Sequence, residues 1–514
     1  MNRRTFLGSL GATALAAPAK RPNIVVMRAD DMGYSDLGCY GAEISTPNLD
    51  RMAARGIRFT HFTNTARCCP TRAALLTGLY QHQAGVGMMV NDLGKPSYQG
   101  YLNDRCVTIA EALRPAGYRT LMAGKWHVGE DRPHWPTDRG FARYFGLISG
   151  ASNYFRLDQG RKMALNDKPY TPEGGDYYMT NAFTDHALKF VDELGRGSDP
   201  FFLYLPFTSP HWPLHALQED IAKYRGKYRM GWDELRQRRY RRMLELGVID
   251  KRWPLTPRDP EVSAWAEAKD KDDLDLRMAV YAAQIECMDR NVGRVLAKLR
   301  EIGAEDNTLV LFLADNGGCH EVVDRGAKGA PAGTPDSYFS YGRGWANASN
   351  TPFRLFKHWM HEGGISTPLI AQWPARIGKG GQLTHQFGHV IDLMATAVDA
   401  AGAQYPATHN GRPVTPLEGR SLIPIFDGKT RDPQRAVFWE HAGNRAVRQG
   451  KWKLVSRYPD RWELYDMEAD RSEMHDLAAK MPGQAGELEK RYSQWAARVG
   501  AFPPDQLGRR GKKA

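Results

Sequence analysis

Short apolar runs alternate with amphipathic segments over most of the chain. The runs are rich in β-branched and aromatic residues, as is typical of buried strands, and they lie at 23–29, 120–123, 201–207 and 308–314. Helical spacing of apolar residues marks the segments between them, at 48–55, 70–77, 181–194 and 278–299, and 216–247 is charged with a helical pattern. Because strands alternate with helices, the pattern predicts an α/β fold with a large mixed central sheet flanked by helices.

The pattern changes near residue 431. Three segments beyond it alternate like short antiparallel strands, and a terminal helix is predicted near 484–499. We therefore expect a small C-terminal α+β domain at 429–505, which follows a large domain at 20–428. The linker lies near Gly428–Pro433, and a basic tail is predicted at 506–514.

The N-terminus has the pattern of an export signal. Within residues 1–19, the pair Arg3-Arg4 precedes a weakly apolar stretch that ends in Ala17-Pro18-Ala19. Paired arginines favour the twin-arginine export machinery as a partner, with a mature chain that begins near Lys20 in the periplasm or outside the cell. No apolar run is long enough to predict a transmembrane segment.

The net charge adds little to this picture. Of the formal charge of +12, from 70 basic and 58 acidic residues, six positive charges lie in the predicted signal and tail, which leaves +6 on the body. That excess is typical of an ordinary solvated surface, so we expect no nucleic-acid partner. Six cysteines in 514 residues do not make a disulfide scaffold.

Two of the apolar runs end in polar pairs that could hold a metal. Asp30-Asp31 follows the first run and Asp315-Asn316 follows the last. Ligand sites form at the carboxyl ends of strands in α/β sheets, and four hard oxygen ligands suit Ca²⁺ or Mg²⁺ better than zinc. Either pair alone is more typical of a turn or a helix cap than of a ligand set, but two pairs placed alike favour a metal site.

A second candidate for chemistry is Cys68-Cys69-Pro70-Thr71-Arg72, followed by Leu76-Thr77-Gly78. A thiol at a helix N-terminus has a lowered pKa and is reactive, and Arg72, one turn later, could pair with an anion. A buried structural cysteine and a vicinal redox pair explain the spacing equally well.

This motif resembles the signature of the type I, formylglycine-dependent sulfatases, which are arylsulfatase-like enzymes of the alkaline phosphatase superfamily. Further matches follow the family's order along the chain, at Asp30-Asp31, Lys125 with His127, His211, Asp315-Asn316, and Lys357 five residues before Glu362. Thr71 departs from the commoner serine, and Arg28 replaces a small or apolar residue. Ser149 and Ser152 are both candidates for the serine that often helps hold the substrate.

The resemblance implies an alkaline-phosphatase-like fold, a catalytic domain at 20–428, and hydrolysis of aryl sulfates or sulfated carbohydrates. Cys68 would be oxidised to formylglycine by a formylglycine-generating or sulfatase-maturing enzyme. One Ca²⁺, with Mg²⁺ as the alternative, would be held by Asp30, Asp31, Asp315, Asn316 and an oxygen derived from Cys68.

The remaining roles also come from the resemblance. Arg72 and Lys125 would hold the formylglycine diol and neutralise charge on the sulfuryl group. His127 would remove a proton from the second hydroxyl of the diol. His211 and Lys357 would face the bridging oxygen, with His211 the favoured donor of a proton to the leaving alcohol or phenol.

Two other functions stay open at this point. A phosphonate monoester hydrolase or phosphodiesterase would share the nucleophile and metal site, although the four residues Lys125, His127, His211 and Lys357 favour a sulfatase. A secreted glycan-binding protein with a dead active site is the second. The five arginines of Arg236–Arg242 predict a solvated helix face, with a basic rim that recruits polyanionic glycan as the alternative.

Overall fold

The computed structural model describes residues 20–508, so the predicted signal and the last six residues of the basic tail lie outside the described part of the chain. The strands are β1 Asn23–Ala29, β2 Ile57–Thr63, β3 Arg119–Ala123, β4 Arg143–Leu147, β5 Met163–Leu165, β6 Lys168–Pro169, β7 Phe201–Pro206, β8 Thr308–Ala314, β9 Ser366–Gln372, β10 Gln382–Thr384, β11 Gly388–His389, β12 Thr408–His409, β13 Arg412–Pro413, β14 Ala436–His441, β15 Asn444–Gln449, β16 Trp452–Ser456 and β17 Glu463–Asp466. The α-helices are α1 Pro47–Ala54, α2 Cys68–Thr77, α3 Ile109–Leu113, α4 Met179–Leu194, α5 Gln218–Ala222, α6 Gly231–Glu245, α7 Lys271–Glu301, α8 Gly342–Ser349, α9 Glu362–Ile365, α10 Asp392–Ala400, α11 Ile423–Phe426 and α12 Pro482–Val499.

The main sheet has eleven strands in the order β10-β2-β9-β8-β1-β7-β3-β4-β5-β6, with β11 also paired to β2. Its centre is parallel, because β1 pairs with both β7 and β8 in that sense, whereas β9 runs antiparallel to β8. The predicted mixed sheet is therefore confirmed. Ala29 pairs with Ala314 at the last residues of β1 and β8, so the polar pairs that follow emerge side by side at one edge.

Helices cover both faces of this sheet, as the alternating pattern predicts. Successive side chains of β1 point to opposite faces, with Val25 and Met27 in the apolar layer of α1, α4 and α7, and Ile24 and Val26 in the layer of α2, α3 and α10. Burial of these apolar side chains is the main favourable contribution to folding. No α-helix within residues 20–508 is long and apolar enough to cross a membrane.

The C-terminal region forms the predicted antiparallel sheet and terminal helix. Strands β14 to β17 pair in chain order, and α12 packs against β15 and β16. An ion network connects this sheet to the segment after Lys357, because Lys453 of β16 lies 2.8 Å from both Glu362 and Glu473. The domain boundary at 428/429 stays a prediction.

The arginine-rich helix differs from expectation. The segment 216–247 forms α5 and α6 rather than one continuous helical element, and two of its arginines are buried. Arg239 forms ion pairs with Asp36 and Glu43, and Arg236 donates to the Thr256 carbonyl at 2.8 Å. The predicted solvated face is therefore wrong for these two residues, whose partners lie 20 residues away for Arg236 and about 200 for Arg239. The other three arginines of Arg236–Arg242 pair with nearby glutamates, as Arg238–Glu234, Arg241–Glu234 and Arg242–Glu245.

Candidate active site

The two polar pairs meet at the carboxyl edge of the sheet. The backbone N–H of Asp31 donates to Asp315 Oδ1 at 3.1 Å, and Asn316 Nδ2 donates to Asp31 Oδ1 at 2.7 Å. Asp31 adopts φ 63°, a left-handed backbone that an aspartate tolerates better than most residues. All four side chains of the two pairs are buried.

Oxygen atoms of this group lack donors. Asp30 Oδ1 and Asn316 Oδ1 are buried and accept no hydrogen bond from any group in the described part of the chain. Burial and the neighbouring Asp315 carboxylate raise the pKa of Asp30 well above its usual value. Buried acceptors without donors are uncommon, and crowded carboxylates repel. The donor set therefore fits a hard divalent cation, which would satisfy the oxygens and relieve the repulsion.

Lysine and arginine side chains contact the same carboxylates. Lys125 Nζ donates to Asp30 Oδ2 at 2.6 Å, and Arg72 Nη2 donates to that oxygen at 3.1 Å. Lys357 Nζ donates to Asp31 Oδ2 at 2.8 Å. Burial acts to lower the pKa of Lys357, but Asp31 and its other anionic neighbours together raise it well above its ordinary value. Both lysines are thus buried ammonium groups at the metal-ligand candidates.

The structure explains why Arg28 departs from the family pattern. It lies in β1, fully buried, and forms an ion pair with Asp315. Including it, the cluster holds three carboxylates and four cations, which are Asp30, Asp31 and Asp315, and Arg28, Arg72, Lys125 and Lys357. The positive excess suits an anionic ligand.

Cys68 is the first residue of α2, two residues earlier than the predicted start of that helix near Pro70. The Thr71 hydroxyl donates to the Asp315 carbonyl at 2.6 Å and accepts from the Thr65 backbone N–H at 3.1 Å. These bonds hold the start of α2 against the end of β8. Thr71 therefore has a positioning role for which the sequence offered no signal beyond its place in the motif.

The thiol at this position is buried and unpaired. Cys68 is 2% exposed, and both Cys68 and Cys69 are free, so the two do not form a disulfide. A hydrogen bond with the Cys69 thiol and the charge of Lys125 lower the pKa of Cys68 well below its ordinary value, although burial acts in the opposite direction. A ring nitrogen of His127 and the two sulfurs lie within 4.8 Å of one another.

His127 is held in a narrow space. Its φ of 59° is left-handed, and burial lowers its pKa to about 4, so the imidazole is neutral at pH 7. Gly150 packs against the ring, because a Cβ at that position would lie 2.5 Å from His127 Cε1 and Nε2. Sequence analysis missed Gly150, since nothing in its surroundings shows that it faces a histidine.

His211 contacts a carboxylate of the same cluster. Its Nε2 is 3.4 Å from Asp31 Oδ2, and its Nδ1 is 2.5 Å from the Trp212 carbonyl oxygen, which can only accept. Nδ1 therefore carries the proton of the neutral ring, and Nε2 keeps a lone pair. Burial lowers the pKa of His211 to about 4.

Other polar residues surround this core. Ser149 Oγ accepts from the Lys162 backbone N–H at 3.1 Å and Ser152 Oγ accepts from the Asp158 backbone N–H at 2.8 Å, so both hold loops and the choice between them stays open. Glu321, which sequence analysis missed, accepts from Trp212 Nε1 at 3.0 Å beside His211. It lies in a loop with no pattern to mark it. Thus the structure brings all the predicted site residues into one cluster, while their roles stay predictions.

Comparisons with known proteins agree with this arrangement. The Sulfatase family model matches residues 22–403, and the model described as N-sulphoglucosamine sulphohydrolase, C-terminal, matches residues 353–494. An uncharacterized sulfatase of Schizosaccharomyces pombe is 36% identical over 483 residues, which cover 85% of this chain and 86% of that protein. The arylsulfatase of Klebsiella aerogenes is 35% identical over 460 residues, which cover 84% of this chain and 98% of that protein.

Among solved structures, Ps i-CgsB in complex with k-i-k-neocarrahexaose is similar with a TM-score of 0.70 and 25% identity, over 94% of each chain. The neighbours share the alkaline-phosphatase-like fold, which confirms that expectation. The family match spans most of the chain and includes the whole cluster around Asp30 and Cys68. The chain belongs to the sulfatase family of sulfuric ester hydrolases.

Proposed function

We propose that this sulfatase uses a formylglycine made from Cys68 and one divalent cation, Ca²⁺ with Mg²⁺ as the alternative. One observation carries the proposal: buried oxygens without donors, on Asp30 and Asn316, lie in the same cluster as a cysteine at a helix start. The positive excess of that cluster suits a sulfate monoester, which is an anion. Loss of a metal ligand or of the cysteine would favour a dead binding site instead, and the chain shows neither loss.

Four side chains would hold the cation: Asp30, Asp31, Asp315 and Asn316. A bound divalent cation neutralises sulfate oxygens and lowers the pKa of a coordinated hydroxyl. The residue at position 68 would add one oxygen ligand. Arg28, paired with Asp315, orients that carboxylate from inside β1.

Position 68, once converted to hydrated formylglycine, would supply one hydroxyl to attack sulfur and a second through which the resulting ester could break down without a separate hydrolysis step. Arg72 and Lys125 form ion pairs with Asp30. They would hold the diol at position 68 and the sulfuryl oxygens. His127, neutral and near the sulfur of Cys68, would accept the proton of the second hydroxyl.

The leaving-group proton is assigned to the pair of His211 and Lys357. Both contact Asp31, so they flank one side of the proposed metal site. Lys357 is the charged member of the pair, and His211 Nε2 has a free lone pair through which a proton could pass. We expect Lys357→Met to slow hydrolysis of an alkyl sulfate more than hydrolysis of 4-nitrophenyl sulfate, whose leaving group needs no proton. Equal slowing of both substrates would remove this role.

Sulfated carbohydrate is the proposed natural substrate class. The solved structure of Ps i-CgsB holds a neocarrahexaose, and the basic excess of this chain suits a polyanion. Twin-arginine export to the periplasm or the exterior, which the first 19 residues predict, would bring the enzyme to such substrates. Maturation would need a formylglycine-generating enzyme before export.

The test is peptide mass spectrometry across 66–72 after expression with a formylglycine-generating enzyme, followed by turnover of 4-nitrophenyl sulfate with Ca²⁺. We expect the Cys68 thiol to be replaced by an aldehyde, and turnover to follow the converted fraction. A Cys68 that stays a thiol while the enzyme converts a control peptide would overturn the proposal. Comparing turnover of sulfate esters with turnover of a phosphodiester distinguishes a sulfatase from the phosphonate monoester hydrolase or phosphodiesterase alternative.

A further inference from the structure

A cavity lies between the edge of the main sheet and the small C-terminal sheet. Its volume is about 830 Å³, within the range of about 300–1,000 Å³ that is usual for small-molecule sites. His61 of β2 and Trp253 line one side, and Arg448 and Trp452 of the β15–β16 hairpin line the other. The segment 430–435 also lines it. None of the residues placed in the active site lines this cavity.

Arg448 is a buried cation without a counter-ion. It is 7% exposed, its Nε donates to the Gly450 carbonyl at 3.2 Å, and its guanidinium lies 4.5 Å from the centroid of the Phe387 ring. It forms no ion pair with any carboxylate of residues 20–508, and burial lowers its pKa to about 10. A buried charge without a partner is unfavourable, so an anion in the cavity would stabilise it.

A second uncompensated charge lies in the segment 430–435. Arg431 and Arg435 share one carboxylate, that of Asp392, at 3.0 and 2.5 Å. Both side chains are only 11% exposed. Arg431 Nη1 is buried and donates to no acceptor within the described ranges. One carboxylate neutralises one of two guanidinium groups, so this wall also has a free positive charge.

Most of the other charged side chains of the lining are paired, whereas Glu468 is an exposed carboxylate that forms no ion pair within residues 20–508. Arg252 bonds to Asp250, and Lys451 lies 2.8 Å from Asp466. Trp452, half-buried, adds an indole to the lining at the end of the hairpin. It pairs with Gln449, so its side chain leaves the hairpin on the face opposite to that of Arg448. Guanidinium groups bind sulfate and carboxylate with two parallel hydrogen bonds, and flat aromatic faces pack against sugar rings.

We infer that this cavity binds an anionic oligosaccharide, whose sulfate or carboxylate groups are held by Arg448 and the Arg431–Arg435 pair. Trp452 packs against a sugar ring of that ligand. The site goes beyond the proposed function, because it shares no residue with the active site and needs neither turnover nor formylglycine.

Calorimetric titration of the full chain carrying Cys68→Ala tests the inference, since that variant cannot turn a ligand over. The probe is a chondroitin sulfate hexasaccharide, and its desulfated form and inorganic sulfate separate the contributions of sulfate groups, carboxylates and a free anion. We expect a binding event that Arg448→Gln weakens at least tenfold. The matched control is Arg491→Gln, an exposed arginine of α12 that pairs with Glu487, and it should leave the affinity unchanged.

Hydrogen exchange locates the event. We expect the hexasaccharide to protect 430–435 and 448–452, with protection lost in Arg448→Gln. If Arg448→Gln lowers the thermal midpoint, Trp452→Ala provides the second variant, because Trp452 is half-buried and lines the same cavity. Protection confined to the active site, or an unchanged affinity in both variants, would overturn the inference. So would a polyglutamate peptide that protects these segments while the hexasaccharide does not.

Discussion

Two buried ion clusters of this molecule differ in charge balance. The active-site cluster holds three carboxylates and four cations, and two of its oxygens lack donors. The cluster between the two sheets holds two of each, with Lys453 at 2.8 Å from both glutamates and Arg471 Nε at 3.1 Å from Glu362. Its members are Glu362, Glu473, Lys453 and Arg471, each at most 1% exposed.

The difference separates a structural role from a chemical one. In the balanced cluster each charge has an opposite charge from another part of the chain, so it positions the small sheet on the large one. In the unbalanced cluster, cations exceed carboxylates and oxygens remain unsatisfied, so it has capacity for ligands of both signs. Ion pairs between buried residues therefore indicate function only when all the positive and negative groups of the cluster are counted.

The nucleophile position should show the largest effect. Cys68→Ala should lower turnover of 4-nitrophenyl sulfate at least about 10³-fold, because it removes the side chain from which the proposed nucleophile is made. Circular dichroism should show an unchanged fold. Cys69→Ala is the matched control, equally buried one residue away, and should keep most of the activity. Equal losses in the two variants would contradict the assignment.

A substitution in the balanced cluster should lower the stability of the fold and leave turnover almost unchanged. Lys453→Met leaves two buried glutamates underpaired, and we expect a loss of about 3–5 kcal/mol in the free energy of unfolding by urea. Turnover per folded molecule should hardly change. Lys451→Met, two residues away, breaks an exposed pair with Asp466 and should lose less than about 1 kcal/mol. A large loss of turnover without loss of stability in Lys453→Met would reverse the contrast.

A divalent cation should stabilise the folded protein by binding at the unbalanced cluster and not at the balanced one. Relative to protein stripped with EGTA, Ca²⁺ at 100 times its dissociation constant should add about 2.7 kcal/mol to the free energy of unfolding. Asn316→Ala should lose most of that gain, because it removes a buried oxygen without a donor. Lys453→Met should keep it. If Ca²⁺ stabilises Asn316→Ala as much as the parent, the cation binds elsewhere.

The smallest effect concerns the position of His127. Gly150→Ala should lower kcat about tenfold, because the new methyl group displaces the imidazole, and small displacements of catalytic groups slow reactions strongly. The thermal midpoint should hardly move. Gly175→Ala is the control, since a Cβ there meets nothing within 4 Å. An unchanged kcat in Gly150→Ala would show that the loop yields without moving His127.

Much of this arrangement follows from the sequence, because strands β1 and β8 are mostly apolar runs and their ends place Asp30 and Asp315 together. The remainder depends on contacts between distant segments. Arg239 is buried because Asp36 and Glu43 lie opposite α6, and its helical surroundings do not predict those partners. Gly150 acts through the shape of the space beside His127, and no local pattern encodes such a shape. The uncompensated charge of Arg448 likewise appears only when the two sheets pack.

The order of the site segments along the chain also determines when Cys68 can become buried during synthesis. Thr71, in the first turn of α2, lies 244 residues before Asp315, whose carbonyl it contacts. At the usual elongation rate of about 5–20 residues per second, β8 leaves the ribosome about 12–50 s after the start of α2. Cys68 cannot be enclosed by β8 before then, whereas in the finished fold it is 2% exposed. The time during which an enzyme could reach and oxidise this thiol in the growing chain is therefore set by the rate of translation.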